Sequence, residues 1–418
     1  MYRVSPFVRH FAWALLGGAG LATLWVNLAP ASYYDAIEWR LWDMHLPLWL
    51  APVPVSLTPL ALVADGLMAL FLFFIGKELW EAIVLDRGAL TGGRAAVPLG
   101  GVIGGALGAV AAWLLAQAVF ETAYEATPAM GWQVPLGSDV VLCYVVGRRV
   151  FGAGHPALHV LLLVTIAMDI FGLLLTGLAD PDSVLRLSWL ALPVLASLGV
   201  WRFYGKRADL RAPERMRRKG LMLWPYVVAG VLSYVGVAAA GLPATLGLLP
   251  VIPAIPHADR SFGLFAEAEE FLHDPLNRLA HLLVRPLGAV LFLFGLTRGG
   301  IDLGAYAPTT LCVLAAFWIG KPLGVLGGML LASATGRARP LAGLGLREKI
   351  LIALISGIGF TVPVLASESV LAGGAMTEAA RLGLALTLLA APVALIVARL
   401  TRRRLTRPAD HWGDASHR

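Results

Sequence analysis

Long stretches of apolar residues leave this chain few folds to choose from. Phe11–Ala29, Ala95–Phe120, Pro156–Ala179, Ala307–Ala332 and Arg381–Leu400 each approach or exceed the length of a bilayer-spanning helix, about 20 residues. Backbone groups inside hydrocarbon must satisfy one another, and single runs of this length do so as helices. Only 14% of the residues are charged and 58% are hydrophobic, against about 25% charged in soluble domains. A soluble core cannot absorb that much apolar surface. The expected fold is therefore an all-α polytopic membrane protein. About twelve transmembrane helices are expected at 11–29, 59–85, 95–120, 131–150, 156–179, 184–203, 220–240, 242–256, 277–297, 307–332, 349–370 and 381–400. The eighth is short and rich in proline. Residues 1–400 read as one transmembrane domain, and 401–418 as a basic, then polar tail without fixed structure.

The net charge of +7 does not point to nucleic acid, because the basic residues sit in short loops between apolar runs. There they act as topology signals. Arg202, Lys206, Arg207, Arg211, Arg215, Arg217, Arg218 and Lys219 mark the 203–219 loop as cytoplasmic. Counting outward puts both termini on that side of the inner membrane, with Arg87, Arg94, Arg148, Arg149, Arg337, Arg339, Arg347 and Lys349. The opposite loops carry Asp35, Glu38, Asp43, Glu121, Glu125, Asp180 and Asp182. The acidic 266–274 loop dissents, but acidic residues weigh little in this rule. The external loop 31–57 is rich in Trp, Tyr and Pro, which suits a small amphipathic or hairpin element at the interface. The run from Phe11 reads as a first helix and not as a cleaved leader.

Ionisable residues within spans are costly and usually functional. Asp65, Asp139, Asp169 and Lys321 are such residues, and Glu78 lies near the inner end of the second span. Asp169 and Lys321 each stand mid-span, so each needs a partner of opposite sign at similar depth; each is the obvious partner of the other. Such a pair holds or releases a proton as its geometry changes. Pro135 and Gly137 precede Ser138 and Asp139, and Gly357, Gly359 and Pro363 interrupt the eleventh span. Two Gly/Pro-interrupted segments in corresponding parts of a chain point to a transporter's binding site. Asp139 would offset the positive helix ends of the breaks and Lys321 the negative ones. Cys143 and Cys312 have no metal-ligand spacing, and His155 and His159 lack a third ligand. No metal, cofactor or enzymatic motif is expected.

The ordered set resembles the NhaA sodium/proton antiporters. Asp65 to Phe71 with Gly76-Lys77-Glu78 is similar to their second helix, and Pro135 to Asp139 to their interrupted fourth. Ala167 to Gly172 is similar to the fifth, Pro243 to Gly247 to the eighth, Ile319 to Gly324 to the tenth, and Gly357 to Thr361 to the interrupted eleventh. The resemblance implies inverted repeats and exchange of Na+ or Li+ for H+ by alternating access. Asp169, Asp139, Lys321 and Ser138 would bind ion and proton; Asp65, Glu78 and His281 would serve access or pH sensing. A homodimer built through the outer loop is also implied. Ile170 stands where the family has a second aspartate, Ala280 where it has a glutamate, and Arg298 where it has an asparagine. These departures keep open a transporter of the same fold for another substrate, or one without sodium coupling. A sensor or scaffold and a membrane enzyme are the remaining readings.

Overall fold

The computed structural model describes residues 5, 7–44, 55–85, 94–120, 131–179, 185–205, 220–257, 264–265, 274–335, 343–371 and 373–401. Most of the basic loop and nearly all of the tail lie outside these residues. A helical segment occupies each of the twelve expected intervals. In chain order these are α1 (Phe7–Leu28), a short α2 (Pro30–Ile37), α3 (Pro59–Val84), α4 (Ala96–Phe120) and α5 (Val140–Phe151), followed by α6 (Pro156–Leu178), α7 (Leu187–Phe203) and α8 (Trp224–Ala239). Two 3-10 turns, Ala244–Leu246 and Leu249–Ala254, fill the short proline-rich interval. Then follow α9 (Pro275–Arg298), α10 (Pro308–Ala334), α11 (Leu346–Ser356), α12 (Thr361–Val370) and α13 (Ala375–Leu400). Among the described residues, seven helices are long and apolar enough to cross a bilayer alone, and the pair α11 and α12, bent by 47°, makes an eighth. The other four segments are shorter, the fourth because its chain is broken before Asp139.

Helix starts follow local chemistry. Thr58 accepts the Ala61 N–H at 3.1 Å before Pro59, and Asp274 accepts the Asn277 N–H at 3.1 Å before Pro275. A proline at the first helical position loses no hydrogen bond, and the side-chain oxygen caps a donor the helix leaves open. The 31–57 loop forms α2 and an antiparallel pair, β1 (Trp42–Met44) with β2 (Val55–Leu57), joined in the register Trp42 to Leu57. The two strands pair as a hairpin element in this loop would.

The α6 helix lies at the centre, with 72% of its most apolar window buried against 33–56% for the other long spans. Small residues set the closest approaches. A Cβ on Gly104 would lie 2.2 Å from the Gly324 carbonyl oxygen, and one on Gly108 2.3 Å from that of Gly320. The glycine stripe of α4 thus seats directly on the glycines of α10, the close-packing device of membrane helices. In the same way Gly18 and Gly295 bring α1 onto α9.

Candidate functional site

The two interrupted segments cross at the centre of the protein. In the first, a 3-10 turn (Val134–Leu136) ends at Gly137, and α5 starts after Asp139. In the second, α11 stops at Ser356 and α12 starts at Thr361. Each break supplies what the other lacks. The Asp139 N–H donates to the Ile358 carbonyl at 3.1 Å, and the Ser138 hydroxyl donates to the Ser356 carbonyl at 3.0 Å. Asp139 accepts the Leu142 N–H at 2.8 Å through one carboxylate oxygen and the Thr361 N–H at 3.1 Å through the other. One carboxylate therefore caps two helix N-termini, whose partial positive charges favour an anion. The expected role of Asp139 against the helix ends is met.

Ser138, Asp139, Asp169 and Lys321 are all completely buried and meet at this crossing. The expected direct contact of Asp169 with Lys321 is absent. Lys321 Nζ instead donates to the Gly137 carbonyl, with the Ser138 hydroxyl 3.4 Å away. Asp169 Oδ1 accepts the Ser138 N–H at 2.6 Å. The carbonyl of Gly137 and the N–H of Ser138 belong to one peptide group. That group lies between ammonium and carboxylate with its oxygen toward the cation and its hydrogen toward the anion. The reason is the break itself. A helix would consume both backbone groups internally, whereas an interrupted chain leaves them free to receive buried charges. The other Asp169 oxygen, Oδ2, is buried with no hydrogen-bond partner among the described residues, and so is Thr361 Oγ1 on the facing break. Small residues permit the approach: a Cβ on Gly172 would lie 3.0 Å from the Gly137 nitrogen.

Comparison with known families covers nearly the whole chain. The profile of the family described as Na+/H+ antiporter 1 matches residues 9–399. The chain belongs to this family. A curated relative, the Na(+)/H(+) antiporter NhaA of Jannaschia sp. (strain CCS1), is 39% identical over 96% of this chain and 99% of its own length. The NhaA of Geobacter metallireducens is 32% identical over 97% of this chain and 99% of its own. Among solved structures, the antiporter MjNhaP1 from Methanocaldococcus jannaschii aligns with 93% of the chain and 99% of its own, at 15% identity and a TM-score of 0.47. As an Na+/H+ antiporter 1 member the chain is an integral membrane protein, and its transporter fold is the one the breaks announced.

The accessory residues fall on either side of the crossing. Asp65 lies in a π-helical turn, Leu62–Leu67, and lines a cavity of about 430 Å³ together with Thr176, Thr245, Arg298, Glu368 and Ser369. Thr176 is seven residues beyond Asp169 on α6, about 10 Å along the axis. The cavity thus sits over the site on the side that the charge bias assigns as outer. Arg298 and Arg381 both bind Glu368, and Arg381 also reaches Glu378 at 2.7 Å. The Glu368 cluster was missed in the sequence, where Arg298 stood out only as a departure from the family pattern and Glu368, Glu378 and the Arg381 charge had no role. Glu78 does not stand in an open approach. It is buried, with Lys77 Nζ 3.1 Å from one oxygen and the Phe265 N–H 2.6 Å from the other. Lys77 also pairs with Glu81 at 3.0 Å, a partner whose four-residue spacing was the available signal. His281 is half-buried in the second turn of α9.

Proposed function

We propose that the chain exchanges Na+ or Li+ for H+ across the inner membrane by alternating access, with Asp169 and Lys321 at the exchange centre. The observation that carries this reading is the buried Asp169 carboxylate, with one oxygen unpartnered where two helix breaks cross and an ammonium across one peptide group. Carboxylate and ammonium together are neutral. A cation arriving at Asp169 adds a charge that burial makes costly. The simplest relief is loss of one proton from Lys321, so that cation and proton occupy the centre in alternation. Ser138 holds both members in register, through its N–H to Asp169 and its hydroxyl near Lys321. Asp139 holds the two breaks together, Asp65 lines the cavity over the site, and Glu78 and His281 serve access or pH sensing from outside the centre. Membership of an antiporter family and the names of the relatives support the choice of ions. Cytoplasmic termini, and a homodimer paired at the β1–β2 hairpin, belong to the same reading.

The test is sodium-driven proton flux into proteoliposomes of purified protein. Wild type is expected to exchange, and Asp169→Asn to be folded, monodisperse and inactive. Asparagine keeps the shape and an oxygen for the Ser138 N–H, yet has no negative charge to hold the cation against which Lys321 gives up its proton. Wild-type flux in Asp169→Asn removes the residue from the mechanism.

A further inference from the structure

We propose that Phe317 is a positioning residue for exchange, its ring face holding the Lys321 ammonium in place. Nζ of Lys321 stands 4.0 Å from the centre of the Phe317 ring, and both side chains are completely buried. A buried ring attracts a cation through the negative charge of its face. An ammonium has three N–H donors. Here the Gly137 carbonyl, the Ser138 hydroxyl and the ring face surround it. The ring is thus the third element of the ammonium's cradle.

Its position is dictated from both sides. Phe317 and Lys321 are four residues apart, the spacing that puts two helical side chains on one face. The turn that joins them is π-helical, Ala316–Gly320, a form that recurs at functional sites. On the far side the ring presses on the second helix break. A Cβ on Gly359 would lie 2.1 Å from Cε1 and 2.5 Å from Cζ of Phe317, so only glycine at 359 leaves the ring its seat. Gly359 is itself pinned. The Thr387 hydroxyl oxygen accepts its N–H at 3.1 Å and lies 3.0 Å from its carbonyl. Phe317 therefore couples the position of the ammonium to the geometry of the α11–α12 break.

The inference rests on the exchange reading above, in which sodium competes with the ammonium. Trifluorinated phenylalanine at position 317 enlarges the ring slightly and removes most of the negative charge of its face. Sodium should then displace the ammonium more easily, and the sodium KM should fall about threefold to thirtyfold. A second readout needs no transport. The same substitution should lower the melting temperature more in wild type than in Lys321→Met, where no cation meets the ring and only the steric cost remains. Equal melting shifts in both backgrounds overturn the inference, because the ring is then filler only. A coupled melting shift with an unchanged sodium KM overturns it too, because the contact then does not bear on exchange. Absence of any sodium-driven flux in wild type overturns the exchange reading instead, and the melting comparison still decides whether ring and ammonium interact.

Discussion

At the residue scale, the separation of Asp169 from Lys321 by one peptide group changes what their mutants should show. Removing one partner of a directly bonded buried pair costs about 3–5 kcal/mol. Here the Gly137–Ser138 peptide relays the interaction, so part of each charge's stabilisation survives loss of the other. A double-mutant cycle between Asp169→Asn and Lys321→Met, read by thermal or denaturant unfolding, should give a coupling of about 0.5–3 kcal/mol. Purely additive effects would show that the peptide does not connect them. Asp139 behaves differently because both its oxygens receive N–H groups of helix starts. Asp139→Ala should remove two caps at once, at about 1 kcal/mol each. Its melting temperature should fall further than that of Asp169→Asn, a reversal of the order expected if Asp139 were only an ion ligand.

At the element scale, the two breaks and the glycine seam carry the precision of the site. The α10 helix brings Lys321 to the crossing only because α4 lies against it at backbone distance. A Cβ on Gly324 would lie 2.1 Å from the Gly104 carbonyl oxygen. Gly324→Val should force the helices apart, cost about 1–3 kcal/mol and abolish exchange in the folded fraction. Normal flux in a folded Gly324→Val protein would mean that the seam does not set the position of Lys321. Thr387 offers a gentler probe of the second break. Thr387→Val should leave the buried Gly359 N–H and C=O without their partner, at about 1–3 kcal/mol for each unsatisfied group. Thr387→Ser keeps the hydroxyl and should restore both stability and flux. Equal loss in the two variants would point to packing of the methyl group.

At the scale of the whole molecule, the charge count at the centre predicts the stoichiometry. Both Asp139 oxygens already accept helix-start N–H groups, and residue 170, next to Asp169, is an isoleucine and adds no carboxylate. On the proposed mechanism, Asp169 and Lys321 should exchange one proton for one sodium ion, with no net charge moved. The sodium gradient at which net proton flux stops should match the proton gradient at every membrane potential. Movement of one charge per cycle would instead shift that gradient about tenfold for each 60 mV. Ile170→Asp, which adds a carboxylate beside Asp169, should introduce such a shift. Flux measured at clamped potentials decides it; strong voltage dependence in wild type would make Asp139 the second carrier.

What could be read along the chain is what depends on order alone. Hydropathy chooses the bilayer and places twelve segments, because each span carries its own solvent preference. Gly137 with Pro135, and Gly357 with Gly359, announce the breaks, because those residue types disfavour continuous helix wherever they stand. Asp65, Asp139, Asp169 and Lys321 declare themselves by the cost of charge in hydrocarbon. Which groups answer those charges was decided only in three dimensions. Asp169 finds Ser138 across 31 residues, Lys321 finds Gly137 across 184, and Asp139 finds Thr361 across 222. Two of these answering groups are backbone N–H and one is a backbone carbonyl, which every residue type carries. No pattern of side chains reports them. The Glu368 cluster and the Phe317 ring were hidden for a related reason. An acid near a span end and an aromatic in an apolar run look ordinary until the helices around them are packed.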